Sequence, residues 1–463
     1  MTKSFYPFLI FVLSIFILMC APSLFTEGMF MDGLMYATVA KNLAHGEGSF
    51  WFLKFSDTYL SSFHEHPPLI FGLQSICFRI FGDSVFVERF FSFFTYIASG
   101  ALMILIFRKI TVDKFHHLAW FPLLLWIAVP LVPWGAMNNM LENGMLVFIL
   151  ASVLFYLKSV SKYRILFLAL SSFMLFAAFL SKGFTGLFPL SLPFWFWCFD
   201  KEYPFKKFVA DSLFLLGFLF LFFAVLFLFQ KDSLPSLQAY FDIQVKNSLQ
   251  NVVTVNSRFY IVGRLITELL ISLGVVVLIF LLGRKNRSVA MEYKWLYIFL
   301  ALGLSGVLPI MLSLKQNAHY LLCAFPFFSI TMAILVLPYL AILIDKIKWR
   351  SLTYYLATFS LFICALGIAF SQIENYSRDE GMIHDVKMIA NELPPHTVIF
   401  VEGNEFSNWA LQAYFYRYAS LNLSLDGLKF PEYKLIRKDS EIPQDYLEVP
   451  IPTKDYILLT KKK

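Results

Sequence analysis

Carboxylates, cations and histidines are sparse in this sequence, and those able to do chemistry stand where long apolar runs end. Asp32 follows the first run. Glu65 and His66 come next, in His64-Glu65-His66-Pro67-Pro68-Leu69. Two compatible readings apply to Asp32. One is a helix N-cap that satisfies orphan amides; the other is a general base whose pKa is raised into use by partial desolvation. Glu65 and His66 either belong to a solvated loop or face a ligand. His64-Glu65-His66 also has the residue types of a metal site, but side chains alternate along an extended segment, so only two of the three face one way. A divalent metal is left open.

Further along, Glu142 stands in Asn138-Asn139-Met140-Leu141-Glu142-Asn143, close to the outer end of an apolar run. A carboxylate at membrane depth is costly and is a functional candidate by default. Lys182 is a lone cation between two apolar runs, either snorkelling to the interface or facing a ligand. Lys315, His319 and Tyr320 bound the mouth of a late run. Together with Lys182 and Arg258 they form an outward-facing cationic patch suited to a lipid phosphate.

The elements that must position these residues are membrane spans. Of 463 residues, 59% are hydrophobic, 55 are phenylalanine and only 15% are charged, against about 25% in ordinary soluble domains. Mean hydropathy is +0.68. These values exclude a soluble fold and place the chain in a bilayer. The net charge of +7 comes from short basic clusters between apolar runs, a pattern of topology rather than of nucleic-acid binding. Five scattered cysteines, mostly inside apolar runs, read as small core hydrophobes and not as a disulfide framework.

Runs of crossing length lie near residues 5–25, 86–107, 118–134, 138–157, 165–181, 183–199, 209–229, 263–283, 295–313, 320–344 and 352–370, so about eleven spans are expected. The first reads as an uncleaved span. Arg108-Lys109, Lys158 to Arg164, Lys201 to Lys207, Arg284 to Lys294 and Lys346 to Arg350 fall on one side, which is cytoplasmic by the positive-inside rule. Asp32 to Phe81, Gln230 to Val262, Ser313 to His319 and the tail then lie outside.

Within the first outer loop (residues 26–85), Met35, Val39 and Leu43 recur at helical spacing until Gly46-Glu47-Gly48. A second helix starts at Pro67-Pro68 and lies along the interface through Leu69, Leu73, Ile76, Ile80 and Phe81. The Gln230 to Val262 loop is polar and carries Arg258 and Tyr260. Residues 1–370 form the membrane module. Residues 371–463, with strand-length runs Val398 to Val401 and Tyr456 to Leu459 around a helix near Trp409 to Tyr418, form a small extracytoplasmic α/β domain.

In order, these features resemble the GT-C class of membrane glycosyltransferases, nearest the protein O-mannosyltransferases and lipid A aminoarabinose transferases. The resemblance is carried by Asp32 with Tyr36, Glu65-His66-Pro67-Pro68-Leu69, Phe81-Gly82 with Arg89, Glu142, Lys182-Gly183, and His319-Tyr320 running into Ala324-Phe325-Pro326. It spans most of the first 340 residues. Two positions depart from it. Gly33 follows Asp32 where many members have glutamate, and His66 stands where the aminoarabinose transferases have lysine.

The resemblance implies an all-α polytopic bundle with a large first outer loop. It further implies an enzyme that moves a sugar from a polyprenyl phosphate to an extracytoplasmic glycolipid (such as lipid A), glycan or protein, with inversion, in a cell inner membrane. Asp32 would be the catalytic carboxylate, with Glu65 and His66 beside it. Tyr36, Glu142, Lys182, Arg258, Tyr260, Lys315, His319 and Tyr320 would bind substrate, and no cofactor is required with certainty. Two other functions fit the same composition: a ligase or polymerase of lipid-linked glycans, and a transporter or flippase without chemistry. Inverted repeats and paired broken helices would favour the last, and neither stands out.

Overall fold

The computed structural model describes residues 5–247, 252–283, 293–347 and 351–462. Among them, nine helical runs are long and apolar enough to cross a membrane, and Asp113–Ile127 with Leu131–Met137 forms a pair bent by 82°. One of the nine, Arg164–Phe199, doubles back. At one end Arg164 Nε donates to Asp211 at 2.6 Å, Tyr203 donates to the same carboxylate, and Tyr203 and Tyr156 share a 2.9 Å hydroxyl hydrogen bond. Phe196 packs on both of those tyrosines. At the other end Lys182 meets Glu142. The reversal falls at Gly183, with φ +78°, where the chain turns from an α-helix into a 3₁₀ segment that runs back along it. Arg164–Phe199 therefore crosses twice, and with the bent pair this restores the eleven passages read from the sequence.

The bend has a cause in Pro130, which starts Leu131–Met137. The amide of Leu131, orphaned at a helix start, donates to the buried carboxylate of Glu268 at 3.0 Å. The described basic clusters gather at one end of the bundle: Lys109 donates to Ser161 at 2.7 Å and Lys294 pairs with Asp200 at 3.5 Å. Arg284 to Glu292 of one cluster, and Lys348 to Arg350 of another, lie outside the described residues.

At the opposite end, Met31–Ala44 and Leu69–Phe81 form from the first outer loop. The first stops at His45, before Gly46 with φ +80°. The second begins one residue after the diproline and exposes Leu73, Ile76, Ile80 and Phe81 while burying Ile70, Phe71 and Phe78. Its outward apolar stripe suits an interfacial helix.

The tail folds as a five-stranded sheet, order β2-β1-β3-β5-β4, from β1 Val398–Phe400, β2 Asn422–Ser424, β3 Tyr433–Arg437, β4 Tyr446–Glu448 and β5 Tyr456–Lys461. β1 runs parallel to β2 and β3, while β5 is antiparallel to β3 and β4. The tail has only a small cluster of its own, Ile436, Tyr446, Ile457 and Leu459, and its larger core is shared with the first loop. Met29, Leu34, Phe55, Phe63 and Phe71 from the first loop share one buried cluster with Ile383, Leu411, Tyr414, Phe415 and Leu458. Arg417 enters the membrane module to pair with Glu88 at 2.9 Å, and both are fully buried.

Candidate active site

Asp32 occupies the first turn of Met31–Ala44. The N-cap is Phe30 and no side chain caps the helix, which overturns the capping reading and leaves both carboxylate oxygens free of that task. A carboxylate in the first turn is favoured by the helix dipole. The helix start is fixed by the Asn138-Asn139 pair: Phe30 N donates to Asn138 Oδ1 at 2.9 Å, and Asn139 Nδ2 donates to Gly33 O at 3.0 Å. Gly33 is required by that approach, since a Cβ there would stand 2.0 Å from Asn138 O. The glycine where the resembling families carry glutamate thus has a steric cause.

Two further helix ends converge on the same place. Glu142 lies in the first turn of Leu141–Ser159, and Lys182 is the last residue of Arg164–Lys182, so each charge suits its helix terminus. They form an ion pair at 1% and 8% exposure, and Glu142 Oε2 has no hydrogen-bond partner. Lys182 Nζ also lies 5.3 Å from the centre of the Tyr320 ring, at cation–π range. The Gly183 that follows packs against Tyr240, whose hydroxyl would lie 1.8 Å from an added Cβ.

Above these ends is a cavity of about 880 Å³ lined by Asp32, Tyr36, Glu65, His66, Glu142, Lys182, Lys315, His319 and Tyr320. Residues far apart in the sequence are thereby brought together. Arg258 and Tyr260 are not among them. Arg258 is exposed, and its backbone oxygen accepts from Gln316 Nε2 at 3.1 Å; Tyr260 is exposed as well. Arg258 is thus apart from the cationic patch and Tyr260 apart from the cavity wall: the loop turns outward there because Gln316 holds its backbone, also accepting from Ile261 N at 3.0 Å.

Burial raises the pKa of Asp32, with Lys182 and Lys315 pulling it down and Glu142 pushing it up. Burial likewise raises Glu65, opposed by Lys315. His319 is driven down to about 4, first by burial, with Glu142 opposing and Lys182 adding to the shift. Its Nε2 stands 4.0 Å from Asp32 Oδ2, and with a neutral imidazole this is contact and not an ion pair. The ring stacks on Trp134 at 6.2 Å.

His66 is held well below the ordinary histidine range by burial, then by Lys182, Lys315 and His319. Its Nε2 and the Tyr36 hydroxyl are 3.1 Å apart, and Nδ1 is buried without a partner. With the hydroxyl donating, Nδ1 carries the proton and is a free donor. His66 is therefore a neutral hydrogen-bonding group and not a substitute cation. Lys315 Nζ donates to Gln244 at 3.2 Å. Its pKa is lowered by burial, against the pull of Glu65.

His64 turns away from His66, toward Ser62 at 2.8 Å and Ser236 at 3.5 Å. Among the described residues no three His, Cys, Asp or Glu side chains gather as a metal site. The His64-Glu65-His66 metal reading therefore does not fit the donor geometry.

Sequence reasoning missed several lining residues: Tyr240 and Gln244 from the second large loop, Asn317, and Trp409 from the tail. Tyr240 stands among polar residues of that loop, but nothing in the order of the chain ties Trp409 to the membrane module.

The fold has solved counterparts. Crystal structures of ArnT from Cupriavidus metallidurans, bound to undecaprenyl phosphate and in the apo state, superpose with TM-scores of 0.68 and 0.65 at 12% identity; each match covers 97% of this chain, and 97% and 96% of theirs. The fold is of the GT-C type. The archaeal oligosaccharyltransferase AglB from Archaeoglobus fulgidus, in complex with an inhibitory peptide and a dolichol-phosphate, is also similar, with a TM-score of 0.54 at 11% identity over 94% of this chain and 70% of that one. Residues 65–228 match the family described as dolichyl-phosphate-mannose-protein mannosyltransferase. Curated protein sequences give no match. In this GT-C scaffold the cavity lies where the outer loops, the tail and the outer ends of the spans meet.

Proposed function

We propose that the protein is an integral-membrane glycosyltransferase that takes a sugar from a polyprenyl-phosphate donor and passes it to a hydroxyl-bearing acceptor outside the cytoplasm, with inversion. The observation that carries this reading is a single cavity in which an uncapped carboxylate, Asp32, faces Lys182, Lys315 and Tyr320. Sugar transfer from a phosphate needs both poles: a base for the attacking hydroxyl, and positive charge for the departing phosphate.

In the proposed step the acceptor oxygen attacks the anomeric carbon on the face opposite the phosphate, and its proton passes to Asp32. The carbon–oxygen bond to phosphate breaks and its electron pair leaves with the phosphate. Lys182 and Lys315 receive that charge. Glu142 holds the Lys182 ammonium at the cavity floor, and a phosphate competes with it there. Tyr36 and His66, which share a 3.1 Å contact, border the sugar. A pKa raised by burial makes the Asp32 carboxylate a stronger base for that proton.

The basic clusters at the far end of the bundle support placing this end outside the cytoplasm, and in a bacterial cell that is the outer face of the inner membrane. The test is turnover. Purified protein in lipid nanodiscs is incubated with a panel of polyprenyl-phosphate sugars and candidate acceptors, and released polyprenyl phosphate is measured. Release that depends on Asp32 is expected. Movement of lipid-linked sugar across liposomes with no release from any donor would replace this reading by transport.

A further inference from the structure

One lining residue of the cavity comes from the tail: Trp409, the first residue of helix Trp409–Ala419. It is 37% exposed, a large apolar ring left open inside an otherwise packed junction. Its position is braced. Asn408 caps the helix by accepting from Leu411 N at 3.2 Å. Behind the indole, the Tyr59 ring meets it edge-on at 5.1 Å, and Tyr59 is itself edge-on to Phe406 at 5.3 Å. An aromatic side chain held from behind and open in front has no packing role for its free surface. Glu65 lies on the wall of the same cavity, and no ion pair or hydrogen bond occupies its carboxylate among the described residues.

Resting on the glycosyltransferase reading above, we infer that Trp409 and Glu65 form the acceptor subsite and that the acceptor presents a pyranose ring there. A pyranose has one apolar face of C–H groups and a rim of hydroxyls. The negative face of an indole attracts such polarised C–H bonds, and a carboxylate accepts hydrogen bonds from adjacent hydroxyls. A peptide acceptor would need backbone partners, which an open strand edge would supply. The edge strand β2 already has the first loop against it: Thr58 Oγ1 donates to Leu423 O at 2.7 Å and Asp57 N to the Asn422 side chain at 2.9 Å, and no β2 residue lines the cavity. A purely hydrocarbon acceptor would leave Glu65 without a role. The tail is thus a specificity element of the reaction, and Tyr59 is a positioning residue for Trp409.

The test uses the full chain in lipid nanodiscs and saturation-transfer NMR with methyl glucoside, methyl galactoside and methyl mannoside. At least one should receive saturation on the C–H protons of one ring face. Its affinity should fall about tenfold in Trp409→Ala and about threefold in Trp409→Phe, the range of an aromatic contact. Retention of undecaprenyl phosphate reports whether each variant is folded, and if Trp409→Ala loses it, Trp409→Phe decides alone. Unchanged affinity in the folded variants overturns the inference. So does the lack of contact between any of the three glycosides and the wild-type protein, whether or not a serine-containing peptide binds. Donor turnover without glycoside contact removes this inference alone. Glycoside contact at Trp409 without turnover of any donor removes the reading it rests on.

Discussion

Glu142 and Lys182 form a buried ion pair at the floor of the cavity, joining the first turn of one span to the last residue of the next outward span. A pair so enclosed is costly to break from one side, because the remaining charge is left without compensation; typical losses are about 3–5 kcal/mol. Lys182→Met and Glu142→Gln should each lower the unfolding midpoint in nanodiscs. The double variant should recover much of that loss, yet fail to release polyprenyl phosphate. Recovery of turnover in the double variant would show that Lys182 serves only the fold.

Among the described residues Asp32 makes no side-chain hydrogen bond. Its raised pKa means that the ionised carboxylate costs native stability at neutral pH, so Asp32→Asn should not lower the unfolding midpoint. Loss of a general base lowers turnover by about 10²–10⁴. The donor KM should move little, since the cations that hold phosphate are elsewhere. Because burial raises its pKa, wild-type activity should climb with pH through a midpoint above the ordinary aspartate value of about 3.9. A pH profile of turnover tests this, and a profile identical in Asp32→Asn would remove the base from the mechanism.

His319 gives a stability signal of the opposite kind. Its folded pKa of about 4 lies below the unfolded value of about 6.5. The unfolded chain therefore binds a proton first as pH drops. The stability this neutral imidazole contributes is present above about pH 6.5 and is lost as pH falls from there through about 4. His319→Gln should flatten that part of the stability profile, measured by unfolding midpoints across the same range.

Arg417 makes the buried ion pair between tail and bundle. Its guanidinium donates to Glu88, at 3.2 and 2.9 Å, and to the carbonyls of Asp83 and Ser84. Arg417→Ala leaves Glu88 buried and unpaired, with a cost of about 3–5 kcal/mol. Hydrogen exchange should quicken in Trp409–Ala419 and across Asp83 to Glu88 together. Faster exchange confined to the tail would mean that the Arg417–Glu88 pair does not hold the two parts together.

The sequence by itself determined the spans, their number, and which loops share a side, because apolar length and basic clusters act locally along the chain. The doubled passage of Arg164–Phe199 is legible in the same way, from the lone Lys182-Gly183 between two apolar runs. So are Asp32, Glu65, His66, Glu142, Lys182, Lys315, His319 and Tyr320, since a polar group at membrane depth is conspicuous. Other features only the tertiary structure decided. Sidedness alone places Arg258 and Tyr260 in the site, but it does not fix where a loop turns, and Gln316 turns this one outward. Asp32 is readable as a cap until the Asn138-Asn139 clamp sets the helix start at Phe30. Trp409 reaches the cavity only because the tail and the first loop bury one core between them, a contact between residues more than about three hundred positions apart that no local pattern encodes.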